Sequence, residues 1–93
     1  MLVLPVEVTH RQARACLQML RQALGTQTGN RVELDASQLK KFDSSALAVL
    51  LEFRRDCQAQ NKALDLLGLS GQLMDLAVLY GVSELLPQAV AKA

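Results

Sequence analysis

Asp35-Ala36-Ser37-Gln38-Leu39-Lys40-Lys41-Phe42-Asp43-Ser44-Ser45-Ala46-Leu47-Ala48-Val49-Leu50-Leu51 contains the end of a strand, a crossing loop and the start of a long apolar helix. Before the loop, Val32 and Leu34 alternate with Glu33 and Asp35, the period of a strand with one wet face. After it, Ala46, Val49, Leu50, Phe53 and Cys57 fall on one arc of a helical wheel, which predicts a helix from Ser44 to about Gln60 with that arc toward a core. At the junction either Asp43 or Ser44 can cap the helix, because a short side-chain oxygen accepts from the orphan N–H groups of the first turn. Ala63-Leu64-Asp65-Leu66-Leu67 repeats the alternation. Strand, helix and strand in that order imply a right-handed crossover and parallel strands. The loops after the strands then share one edge of the sheet, and Asp43-Ser44-Ser45 lies on it.

Working outward, Leu2 to Val8 is a short strand in which Pro5, lacking an N–H, marks an edge or a break. Thr9-His10-Arg11-Gln12 has the form of a capping box, and the helix it opens runs from Thr9 to Leu24, where Gly25 stops it. Ala13, Cys16, Leu17, Leu20 and Leu24 make its apolar arc, with Arg11, Arg14, Gln18 and Arg21 as a solvated face. Ser70 caps a third helix whose core arc is Leu73, Leu76, Ala77 and Tyr80, Gly81 ends it, and Ser83 caps a last short helix through Glu84-Leu85-Leu86. Leu47, Leu51, Met74 and Val78 fall outside the arcs of their helices, and serve either inter-helix packing or a partner surface. The expected architecture is a single α/β domain over residues 1–93, a mixed, mostly parallel sheet with helices packed largely on one face.

Ten basic residues against nine acidic ones give no strong field for nucleic acid or an anionic membrane. Phe42, Phe53 and Tyr80 are too few and too scattered to form a base-stacking platform. No apolar run is long enough to span a bilayer and no secretory signal pattern opens the chain, so the expected location is the cytoplasm. Cys16 and Cys57 lie on the apolar sides of two helices, without metal-binding spacing, and are expected to be buried reduced thiols. His10, the one histidine, has no paired Ser, Cys or acid at catalytic spacing and reads as a surface residue. Ser44 has no neighbouring His or Lys to act as its base, and no glycine-rich phosphate loop is present, so neither an enzyme nor a cofactor is expected. Lys40 and Lys41 could draw an acidic partner or simply form a solvated loop.

The strand Arg31 to Ala36, Phe42-Asp43-Ser44-Ser45-Ala46-Leu47, Gly68-Leu69-Ser70 and Leu76 to Val82 together resemble a STAS domain, the fold of bacterial anti-sigma-factor antagonists. Within that family, Leu76 to Val82 is most similar to the small cytoplasmic STAS subunits of Mla-type phospholipid ABC transporters, also known as toluene-tolerance proteins. The family often has Gly where this chain has Ala46, a change that suits the first turn of a helix. In the antagonists a partner kinase phosphorylates the serine directly after the Asp, and by that pattern the candidate is Ser44. The resemblance implies a non-enzymatic binding module that docks on a transporter ATPase. The partner surface would comprise Asp43, Ser44, Ser45, Lys40 and Lys41 together with the flank residues Leu47, Leu51, Met74 and Val78. The alternative is an anti-sigma-factor antagonist switched by phosphorylation of Ser44.

Overall fold

The computed structural model describes residues 2–86. Val32 and Leu34 are buried and Arg31 and Glu33 exposed along β3 (Arg31–Asp35), and Leu64 and Leu66 are likewise buried in β5 (Ala63–Leu67), as the alternation requires. The two strands pair in parallel from Arg31 opposite Ala63 to Asp35 opposite Leu67. On the wet face the Arg31 guanidinium bridges to Asp65, Nε to Oδ2 at 2.6 Å. β1 (Leu2–Val3) completes a sheet of order β1-β3-β5, while β2 (Glu7–Val8) pairs with β4 (Lys41–Phe42) in a second ladder. Every ladder among the described residues is parallel.

Pro5 breaks the first strand as its missing N–H predicts, and the break has a counterpart opposite it. Leu2 faces Leu34 and Glu7 faces Lys41, so the register offset grows from 32 to 34 and the partner strand carries two extra residues across the gap. The five residues Ala36 to Lys40, opposite three on the first strand, form a turn, with the Leu39 N–H on the Ala36 carbonyl and both Ala36 and Leu39 buried. Lys41 and Phe42 then rejoin as β4, a strand that two residues without periodicity do not announce.

α1 (Ala13–Leu24), α2 (Ser44–Ala59) and α3 (Gly71–Leu79) follow their strands. Phe53 is completely buried among Leu4, Leu20, Leu34, Leu50 and Leu66 in one contiguous apolar core. Cys16 and Cys57 are free, buried thiols, and desolvation pushes both pKa values up. α1 starts at Ala13, four residues later than the capping box implies. Gln12 Oε1 does reach back to the Thr9 N–H at 3.0 Å, but the Thr9 hydroxyl donates to that same oxygen at 2.6 Å, and residues 9–12 close a separate turn. Gly25 keeps a right-handed φ of −62°, and the helix ends by tightening as Thr26 and Gln27 donate to Ala23 and Leu24. Arg21 is not on a purely solvated face, since it spans to α2, Nε to Asp56 Oδ2 at 2.6 Å and Nη2 to Glu52 Oε2 at 3.2 Å. Ser83 does not cap the last turn. It is the first residue of a 3-10 turn, Ser83–Leu85, that has no side-chain cap.

Candidate functional site

Because β2 and β4 run parallel, their carboxyl ends lie side by side, and Asp43, directly after β4, meets the turn that follows β2. Asp43 stands there with an extended backbone (φ −133°, ψ −165°) and uses both carboxylate oxygens. Oδ1 accepts from the Ser45 N–H at 2.8 Å, which caps α2, and Oδ2 accepts from the His10 N–H at 3.1 Å, which ties down the turn before α1. The Ser45 N–H is the main cause of a pKa held below the ordinary carboxylate value, and the His10 N–H adds to it. Of the two cap candidates Asp43 therefore takes the role, and Ser44 is left exposed as the first helical residue, its hydroxyl without a hydrogen bond among the described residues. The His10 imidazole approaches Asp43 at 3.9 Å. Among the described residues no cluster of His, Cys, Asp or Glu could hold a metal.

From Ser44 a cleft of about 290 Å³ runs between α2 and the end of α3, lined by Ser44, Leu47, Ala48, Leu51, Tyr80 and Val82. Leu47, which the wheel puts outside the core arc, is only 3% exposed and forms the cleft floor. The wheel assumes a single buried side facing the sheet, whereas the α3 end covers this second flank of α2. Leu51 and Met74 are half-buried and pack on the core, while Val78 is 63% exposed. Tyr80 was expected in the core arc of α3 but is 57% exposed, and Leu79 beside it is 78% exposed. Leu76 is half-buried, leaving Leu73 and Ala77 as the buried residues of that helix. The signal for this surface was in the sequence, since Val78-Leu79-Tyr80 puts three apolar residues in succession at a helix end, where they cannot all point inward. Lys40 is exposed, and Lys41 Nζ lies 4.0 Å from Glu7 Oε2 across the β2–β4 ladder, within a loosely held surface pair. The structure thus gathers Ser44, Leu47 and Leu51 with Tyr80 and Val82, with Asp43 and Ser45 flanking Ser44 in the chain, and leaves Val78 and Leu79 exposed outside the cleft lining.

A family model described as "Mlab, STAS domain" matches residues 1–87. The chain belongs to the MlaB-type STAS family. It is a family of binding domains without catalytic activity. A curated relative, the "Intermembrane phospholipid transport system binding protein MlaB" of Haemophilus influenzae, is 42% identical over 53 residues, which cover 57% of this chain and 50% of the relative. The chain therefore spans about half the length of the curated relative it matches. The STAS architecture accounts for the parallel strands and one-sided helices, and no helix among the described residues is long and apolar enough to cross a membrane.

Proposed function

We propose that this chain is the STAS subunit of an Mla-type phospholipid-transport ABC complex, docking on the transporter ATPase at the cytoplasmic face of the inner membrane through the Ser44 edge. The observation that carries this reading is the Ser44 cleft itself, with an apolar lining of Leu47, Leu51 and Val82 and the exposed Tyr80 on its far wall. Large exposed apolar side chains grouped next to a formed cleft mark protein interfaces. The likeness to the Haemophilus influenzae binding protein of an intermembrane phospholipid transport system supports the choice of transport system.

Asp43, Ser45, Lys40 and Lys41 frame the polar rim of this surface, and Leu47, Leu51, Met74 and Val78 its apolar part. A phosphate on Ser44 would sit at the N-terminus of α2, whose dipole favours negative charge by roughly 0.3 to 1 kcal/mol. An interface closing over it would have to desolvate the dianion, at a larger cost. Ser44→Asp and Val78→Glu should keep the fold and weaken binding to the ATPase subunit of the same transport system at least about tenfold. Calorimetric titration against that ATPase, with thermal melting of each variant, tests this. Unchanged affinity in both variants would remove this edge from the interface.

The second reading, an anti-sigma-factor antagonist switched at Ser44, draws on the free Ser44 hydroxyl. It predicts binding to an anti-sigma-factor kinase and transfer of phosphate to Ser44 by that kinase, which mass spectrometry of the incubated mixture would detect.

A further inference from the structure

Ala48 lies on the outer ridge of α2, and the Ser44 cleft occupies only one of its two sides. On the other side, between α1 and α2, runs a groove of about 500 Å³ lined by Ala13, Arg14, Leu17 and Arg21 of α1 and by Val49 and Glu52 of α2. Its form follows from the side chains. Ala13 and Ala48 are too short to meet across the gap between two helices packed side by side, so Leu17 and Val49 become a floor rather than an interior.

The charge along this groove is uneven. At the far end Arg21 is matched by Asp56 and Glu52. Two turns nearer the start of α1, Arg14 has no acidic partner among the described residues, and neither has Arg11 one turn beyond it. The two helices run in the same direction, as the parallel β2–β4 ladder and the His10–Asp43 hydrogen bond require, so both positive dipole ends lie at that same end. Neither helix has an acidic residue in its first turn, and the carboxylate at this end, the Asp43 cap, is occupied by the Ser45 and His10 N–H groups and pairs with neither Arg14 nor Arg11. The groove has an apolar floor with Gln18 on its rim, is neutralised at one end and carries Arg14, unpaired among the described residues, at the other.

We infer that the groove binds an acidic amphipathic segment of the partner protein, its apolar side chains over Ala13, Leu17 and Val49 and a carboxylate on Arg14. An apolar floor with one unmatched cation suits a helix or strand carrying an acid at one end, and does not suit a polyanion, which would need cations along the whole track. The inference rests on the docking reading above and adds a second contact, so that the partner holds the Ala48 ridge from both sides.

The test is the affinity of the chain for the ATPase subunit of the same transport system, measured by biolayer interferometry at low and moderate salt. Arg14→Glu should weaken binding about tenfold or more, since a like charge then faces the partner's acid. Arg14→Lys should stay within a few-fold of the unmodified chain, and added salt should weaken the unmodified chain more than Arg14→Glu. Arg31→Glu, an equal charge change on the opposite face of the sheet, should leave the affinity within about twofold. Arg14 is exposed, and thermal melting verifies that its variants fold. Should Arg14→Glu melt early, Arg14→Gln carries the same comparison with charge removal alone. If Ser44→Asp abolishes binding while Arg14→Glu and Arg14→Gln leave it unchanged, the groove is not a contact and the docking reading survives. If the unmodified chain does not bind the ATPase at all, both fail.

Discussion

Gly68→Ala isolates a constraint at the edge of the sheet that carries Ser44. Gly68 follows β5 with φ +72°, and a Cβ there would lie 2.7 Å from Ser37 Cβ and 3.0 Å from the Ser37 Cα and backbone N. Two costs add. The left-handed conformation costs an L residue roughly 1 to 2 kcal/mol. Displacing the backbone of the Ser37 turn adds about 1 to 3 kcal/mol, the usual scale of overpacking. Gly81 is the internal control, because it has the same φ of +72° with nothing within 4 Å of an added Cβ. The loss of unfolded-state entropy is common to both substitutions and cancels in the comparison. Against a total stability on the order of 5 to 14 kcal/mol for a chain of this length, the difference is large enough to read. Gly68→Ala should melt at least about 4 °C below Gly81→Ala, taking about 4 to 8 °C per kcal/mol for a domain of this size. Paired calorimetric melts decide it, and equal midpoints would show that the contact with Ser37 carries no energetic weight.

Leu47→Ala should cost about 2 to 5 kcal/mol, as a buried leucine that leaves a cavity, whereas Val78→Ala should stay within about 0.5 kcal/mol; similar urea midpoints for the two would contradict their placement on the cleft floor and on the surface. Asp43 and Asp35 both have pKa values held low, first by the N–H groups of Ser45 and Ser37 respectively. Their contribution is therefore complete above the unfolded-state value near pH 4 and is lost as the pH falls through the lower folded-state values. Asn caps a helix about as well as Asp but has a single acceptor oxygen and does not titrate, so Asp43→Asn should keep the Ser45 cap, lose the bond from the His10 N–H at a cost of about 1 kcal/mol at neutral pH, and show a shallower further loss of melting temperature in acid; parallel acid profiles would refute the role assigned to the carboxylate.

The strands β3 and β5 and the inner arc of α2 were legible because a single periodicity decided each of them. Ala46, Val49, Leu50, Phe53 and Cys57 are all buried as the wheel requires. Periodicity fails where an element has two neighbours or too few residues. Leu47 sits beyond the arc that faces the sheet yet is buried, on a flank that shares a cleft with Tyr80 and Val82, tertiary neighbours that no local pattern encodes. Tyr80 was assigned inward by extending the wheel of α3, yet that helix ends at Leu79 and Tyr80 is already its C-cap, with Gly81 in the left-handed region turning the chain away. β4 escaped notice because Lys41 and Phe42 are held by pairing with β2 and by the Val6 carbonyl, which accepts from both Lys40 and Lys41 N–H groups at 2.8 and 3.0 Å. The position of Ser44 is readable from the cap pattern, but its freedom depends on which of two residues caps the helix, and the Ser45 N–H on Asp43 Oδ1 settles that, while Oδ2 reaches across to His10.

That reach leads back to Pro5. The Leu4 N–H donates to the Asp35 carbonyl at 2.8 Å, and Pro5 then has no donor to offer, so residues 36–40 can leave the ladder without orphaning a bond from the first strand. They turn toward β5 instead, with the Ala36 N–H on the Leu67 carbonyl at 2.7 Å, and rejoin beside β2 two residues out of the original register. The shift brings Phe42 opposite Val8, and hence Asp43 next to the turn at Thr9 and His10. One carboxylate can then hold the N-terminus of α2 and the turn before α1 together. The starts of α1 and α2 are consequently fixed relative to each other, and a partner docking along the groove between them would meet two walls already in register, without the entropic cost of ordering two separately mobile helices.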